Sequence, residues 1–320
     1  QERLQGVEYH NNMRLMLASL IGLMLGFLAL SQGHSQTVLG GASPVLPDLG
    51  EASSATLSPQ MERRIGEEAM RQIRAREPAY LDDPEVVDYL NSLGRRLAAA
   101  SSASGNEFEF FVIKDDSINA FAMPGGFVGV HTGLLLSAQT ESELASVLAH
   151  EISHVTQRHI ARLIGNQSQL SPFMLAGMLI GAFLASRSGS SADLGQAAII
   201  AAQGGAIQAQ LGYTRDFERE ADRIGFQVLQ QADFDVTGMV SFFERLQKNS
   251  RAYENNAPAY LRSHPLTVER ISDIQNRLND APYRQRPDSV DFHLVRAKLR
   301  SEQGIPREAL AYFRSQLDGK

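Results

Sequence analysis

Apolar residues recur every three or four positions over much of the chain, and the places where that rhythm fails mark its architecture. Ser58 followed by Pro59 offers an N-cap and a first-turn proline. Met61, Ile65, Ala69 and Ile73 then follow at helical spacing. A second helix is expected after Leu81-Asp-Asp-Pro84, with Val86, Val87, Leu90, Leu93 and Leu97 as its buried stripe. At Phe108 the pattern changes to β-branched and aromatic runs broken by Asp-Asp and Pro-Gly-Gly. Strands are predicted near 108–113, 119–123 and 126–131, the last two joined by a turn at Pro124–Gly126. Thr140-Glu-Ser-Glu143 is a capping box, and Leu144, Val147 and Leu148 continue the helix it starts. Helical sequence returns in "YTRDFEREADRIGFQVLQQ", near 237–248, and in "LRSHPLTVERISDIQNRL". The fold class is α+β, mainly helical, with a small β-sheet.

From Asp291 two short helices are expected around Gly304. Ala297, Gly304, Ala309 and Phe313 have the spacing of a tetratricopeptide unit. A single such unit cannot bury its own face, so it either leads into further repeats or docks on the main domain. The chain divides into upstream residues 1–12, a segment 13–35, a Gly/Ser/Pro-rich linker 36–57, a main domain 58–285 and the start of a helical repeat region 286–320. In 13–35 a basic Arg14 precedes the uncharged apolar run Leu15–Leu30 and then small residues, the pattern of an export signal peptide. An uncleaved inner-membrane anchor is the alternative. Residues 163–212 form an apolar insert whose charges are Arg187 and Asp193, with Gly177 and Gly181 at GxxxG spacing. They read as a buried hairpin, or as a lid that touches a membrane interface through 170–185.

Composition narrows the chemistry. The 320 residues are 43% hydrophobic and 21% charged, enough for a substantial core. The formal net charge of −6 argues against nucleic-acid binding. There is no cysteine, so disulfides, thiolate ligands and thiol nucleophiles are excluded. An exported chain without cysteine fits a periplasm.

His150-Glu151-Ile152-Ser153-His154 has the form H-E-x-x-H. On a helix its two histidines lie one turn apart on one face and can share a divalent ion. Glu151 sits beside that line, where it can take a proton from a metal-activated water and pass it to a leaving amine. A third ligand is needed. His159 lies five residues beyond His154, on another helical face, and reads as a surface residue. "FEREADRIG" offers a carboxylate instead: Glu218 as ligand, with Asp222 on the same face accepting a ligand histidine N–H. Glu220 projects elsewhere and reads as solvated.

"NAFAMPGGFVGVHTGLL", "SELASVLAHEISHV", "FEREADRIG" and "SHPLTVER", in this order, resemble the gluzincin zinc endopeptidases related to the CAAX prenyl protease and the HtpX heat-shock peptidase. The resemblance spans roughly residues 58–280. It implies a zincin-like metallopeptidase core with one Zn²⁺ per chain, held by His150, His154 and Glu218. The signal segment, the absence of multiple spanning helices and the helical repeat resemble most the family's periplasmic members. That implies unfolded or misassembled outer-membrane proteins as substrates, chaperone-like work, and contact with the outer-membrane assembly machinery through the repeats. The competing class is a non-catalytic, zinc-stabilised chaperone or scaffold that binds partners through its repeats.

His264 and Arg270, in "SHPLTVER", belong to an element the resemblance places near the site. His264 either donates to the oxyanion of the tetrahedral intermediate or occupies the fourth zinc position and holds the enzyme latent. The strand Gly126, Phe127, Val128, Gly129, Val130 precedes the motif helix. As an edge strand it would pair with an extended substrate, with Asn119 helping to position it.

Overall fold

The computed structural model describes residues 57–102, 107–164, 215–252, 258–282 and 284–319. The segment 13–35 and nearly all of the apolar insert 163–212 lie outside them. Among the described residues no helix is long and apolar enough to cross a membrane.

Helix α1 (Pro59–Arg76) starts where Ser58 accepts a hydrogen bond from the Met61 amide, and α2 (Pro84–Ala99) starts on an Asp83 cap. Between them lies the two-residue strand β1 (Tyr80–Leu81). Strands β2 (Glu109–Ile113), β3 (Ala120–Met123) and β4 (Phe127–His131) complete a mixed sheet in the order β1-β2-β4-β3. β4 runs parallel to β2, with Phe111 opposite Gly129, and antiparallel to β3, with Phe121 opposite the same glycine. Both faces are covered. Phe111, Ile113, Met123 and Phe127 pack with Ala69, Met70 and Ile73 of α1 on one side. Phe110, Val112, Val128 and Val130 face the main core on the other. A strand buried on both faces reads as a continuous apolar run, which is the character of "FEFFVI".

The β3–β4 turn needs glycine. Gly125 and Gly126 have φ of 79° and 90°, and a Cβ on Gly126 would meet the Glu107 carbonyl oxygen at 2.2 Å.

After the short helix α3 (Thr132–Ser137), Thr140 caps α4 (Glu141–Thr156). The expected capping box is realised with a shift. Glu143 accepts from the Gln139 amide at 2.6 Å, one residue before the cap, and its carboxylate is gripped by Arg245 through two 2.6 Å bonds. Helix α4 is buried along nearly its whole length. Around it are α5 (His159–Ile164), α6 (Arg215–Gln231), α7 (Thr237–Ala252), α8 (Ala259–Ser263) and α9 (Val268–Asn279).

Helices α10 (Val290–Ser301) and α11 (Pro306–Leu317) turn about Gly304, whose φ is +70°. α10 docks on the main core. Phe292 is fully buried, and Lys298 reaches Asp83 and Glu85 at 2.7 and 2.8 Å. On α11 only Ala309 is buried, and Leu310 and Leu317 face solvent.

Gly126→Ala is expected to destabilise the chain by about 1–3 kcal/mol, since the left-handed backbone and the carbonyl contact both reject a methyl group. A urea midpoint equal to that of the parent chain would contradict this account of the turn.

Candidate metal centre

α4 and α6 meet face to face because Gly225 carries no side chain. A Cβ there would lie 3.2 Å from the His150 amide nitrogen and 3.3 Å from the Ala149 carbonyl. That approach sets Glu218 of α6 opposite the two histidines of α4. Nε2 of His150 and Nε2 of His154 are 2.9 Å apart. Glu218 Oε1 lies 3.4 Å from His154 Nε2, and Oε2 lies 3.5 Å from His150 Nε2. His264, just after α8, adds a fourth donor: its Nδ1 is 3.3 Å from His150 Nε2 and 3.0 Å from Glu218 Oε1. All four donors lie within 4.8 Å of one another, and all four residues are buried.

These spacings suit a cation. A tetrahedral site with bonds of about 2.0–2.1 Å places its ligands roughly 3.3 Å apart. Three imidazole nitrogens converging without a positive centre would set lone pairs or N–H groups against each other.

The surrounding polar groups point the donors inward. His150 Nδ1 is 3.0 Å from Asp222 Oδ1, and Asp222 receives Arg270 through Nε and Nη2 at 2.6 and 2.8 Å. Arg270 Nη1 also reaches Glu218 Oε2 at 2.7 Å and the Pro265 carbonyl at 2.8 Å. This one guanidinium therefore ties α6 to the backbone next to His264. Burial alone would raise the Glu218 pKa, but the facing imidazoles outweigh it and hold the acid well below its usual range. Burial also opposes charge on His150, yet Asp222 and Glu218 push its pKa up to about 10. For Asp222 burial is outweighed by Arg270, and the carboxylate stays ionised.

Glu151 is fully buried beside the cluster, and burial raises its pKa. Its oxygens have no hydrogen-bond partner among the described residues; His264 Nε2 lies 3.4 Å away. The Ala122 amide of β3 favours its charged form.

Two expectations need correcting. His159 is not a surface residue: it is fully buried, with Nδ1 2.8 Å from His154 Nδ1. Glu220 is not merely solvated, since it pairs with His159 and with Arg162. Helical spacing placed His159 on another face, but α4 ends at Thr156 and Arg158, with φ of 53°, folds the chain back.

The expected open edge at 126–130 is also not there. β4 is hydrogen-bonded on both sides, so the main chain of Phe127, Val128, Gly129 and Val130 is already paired, and Gly126 accepts from the Glu109 amide. The parallel partner β2 comes from earlier in the chain and leaves no local sign in β4. Among the described residues β3 is the edge strand beyond β4, but it is covered there, with Ala120 fully buried and Ala122 nearly so. The Asn119 carbonyl accepts from the His131 amide, so Phe121 and Met123 face β4 while Ala120 and Ala122 turn their main-chain groups outward. The Asn119 side-chain oxygen is buried with no hydrogen-bond partner among the described residues.

Sequence reasoning missed Tyr260. Its ring stacks on His264 at 4.6 Å, and its buried hydroxyl has no hydrogen-bond partner among the described residues. Its place four residues before His264 was the available signal.

The family model for peptidase family M48 matches residues 84–278. The chain belongs to peptidase family M48. Among M48-related proteins, it is 39% identical over 295 residues to the beta-barrel assembly-enhancing protease of Yersinia pestis, covering 92% of this chain and 60% of that relative. The protein of the same name from Escherichia coli (strain K12) is 39% identical over 270 residues, 84% of this chain and 54% of that relative. The mitochondrial metalloendopeptidase OMA1 of Schizosaccharomyces pombe is 31% identical over 251 residues, 77% of this chain and 69% of that relative. The chain thus spans a little over half the length of the two bacterial relatives. The M48 match contains every residue of the donor cluster.

Arg270→Met is expected to cost about 3–5 kcal/mol, because it strands the buried carboxylates of Asp222 and Glu218. Chemical denaturation in the presence of a chelator measures this without a metal contribution. A loss below about 1 kcal/mol would show that water reaches those acids.

Proposed function

We propose that this chain is the peptidase part of a zinc-dependent endopeptidase that hydrolyses unfolded or misassembled polypeptides. The observation that carries the proposal is the buried convergence of His150, His154, Glu218 and His264 beside the buried carboxylate of Glu151. His150, His154 and Glu218 would hold the metal, and their two imidazoles and one carboxylate favour zinc. Bound there, zinc supplies Lewis acidity that lowers the pKa of a water to about 7 and polarises a carbonyl.

The chain's own groups do the rest. Asp222 accepts the His150 Nδ1–H and fixes which ring nitrogen faces the site. Arg270 holds Asp222 and Glu218 in place and keeps both ionised. Glu151 takes the proton of the attacking water and returns it to the leaving amine; its burial favours the protonated intermediate state.

His264 Nδ1 lies within the donor cluster, so in this conformation it is a fourth donor that keeps the site latent. Removal of His264 from the cluster opens the fourth position, and its imidazole is then near enough to serve the oxyanion. The bacterial relatives' name supports a part in β-barrel assembly and the export-signal pattern of residues 13–35 a periplasmic location, with α10 and α11 as a tetratricopeptide-like unit for partners.

Casein hydrolysis with and without a chelator tests the peptidase, and Glu151→Gln is expected to lower the rate by about 10²–10⁴ while zinc content stays at one per chain. Full activity in that variant would exclude the mechanism. Zinc binding with no hydrolysis by the parent chain or by His264→Ala would favour the scaffold alternative. His264→Ala is expected to keep its zinc and to change the rate of casein hydrolysis, a faster rate marking the latency role and a slower one the oxyanion role. Zinc loss as complete as in His150→Ala would instead make His264 an obligatory ligand.

A further inference from the structure

His150 and His154 each present Nε2 to the donor cluster, so each has its proton on Nδ1. For His150 that proton goes to the Asp222 carboxylate, 3.0 Å away. For His154 the facing atom is another imidazole nitrogen, His159 Nδ1, at 2.8 Å. Two protonated nitrogens at that distance would repel. With His154 Nδ1 as donor, His159 Nδ1 must be bare, and the single proton of His159 sits on Nε2. Nε2 is 3.2 Å from Glu220 Oε2, which also accepts from Arg162 Nη1 at 2.9 Å. Every proton in the row from His154 through His159 to Glu220 then has a donor and an acceptor. Phe217 lies flat against His159, with ring centroids 4.4 Å apart and planes 7° off parallel, and fixes the ring's tilt.

We propose that His159 is a positioning residue for the metal site. Its Nδ1 accepts the bond that holds His154 in the tautomer with Nε2 aimed inward, and Glu220 anchors it from the protein surface. The inference rests on the metal-binding role of His150, His154 and Glu218. Both ligand histidines of α4 are then backed by an acceptor and an arginine: Asp222 with Arg270, and Glu220 with Arg162 acting through His159. The acceptor on the His154 side is neutral, so His154 keeps more of its own proton than His150 does.

Isosteric substitution separates orientation from packing. The side-chain oxygen of asparagine falls where histidine has Nδ1, whereas the amide nitrogen of glutamine falls near Nε2. His159→Asn keeps an acceptor for His154; His159→Gln keeps a donor for Glu220 but offers no acceptor at the Nδ1 position. Both remove the ring stacked on Phe217. Zinc affinity of the full chain, measured by competition with a chromophoric chelator, is expected to fall by about threefold for His159→Asn, which keeps the acceptor and loses the Glu220 anchor, and by about 10–100-fold for His159→Gln. Equal affinities in the two variants, whether both reduced or both unchanged, overturn the proposal. Glu220→Ala leaves the core intact and provides a second reading if either variant folds poorly. It is expected to weaken zinc binding at least about threefold, and unchanged affinity overturns the proposal. Failure of the parent chain to bind zinc would instead sink the metal site itself, an outcome distinct from equal affinities among the variants.

Discussion

One buried region holds three carboxylates, Glu151, Glu218 and Asp222, and three imidazoles, His150, His154 and His264. Desolvating a carboxylate is costly unless a positive or hydrogen-bonding partner replaces the lost water. Much of the surrounding architecture answers that requirement. Arg270 enters from α9 and neutralises two of the acids at once. The imidazoles of α4 face Glu218 on one side and their own acceptors on the other. Glu151 alone among the three acids lacks a strong partner, and it is the one proposed to take up and release a proton.

Rigidity comes from how α4 is held. Its start is fixed by the Thr140 cap and by the Glu143–Arg245 pair, and its sides by α2, α6 and α7. Its end is fixed by the turn at Arg158, whose guanidinium reaches back to Glu62 of α1 at 2.9 Å. A donor set on a helix so restrained loses little freedom when a ligand arrives, which favours tight binding.

Much of this was legible in the sequence. The three main strands fall within a residue or so of the predicted ones, because a run such as "FEFFVI" has no helical reading and Pro124-Gly125-Gly126 leaves little choice but a turn. The caps at Ser58 and Thr140, the H-E-x-x-H pair and the Glu218–Asp222 face were all local patterns, and the fold preserved them. What sequence could not show were relations between distant segments. β4 gave no sign that β2 would take its second side. His159 looked exposed because helical spacing was carried past the point where α4 stops. Arg270 was placed near the site by resemblance, yet its simultaneous hold on Glu218, Asp222 and Pro265 depends on how α9 crosses α6.

Gly225 has a further consequence. Because it puts main chain against main chain between α6 and α4, the bite of the donor set is governed by contact radii of backbone atoms. Even a methyl group at position 225 would press on the backbone of Ala149 and His150, so the spacing of the donors is sensitive to that one position.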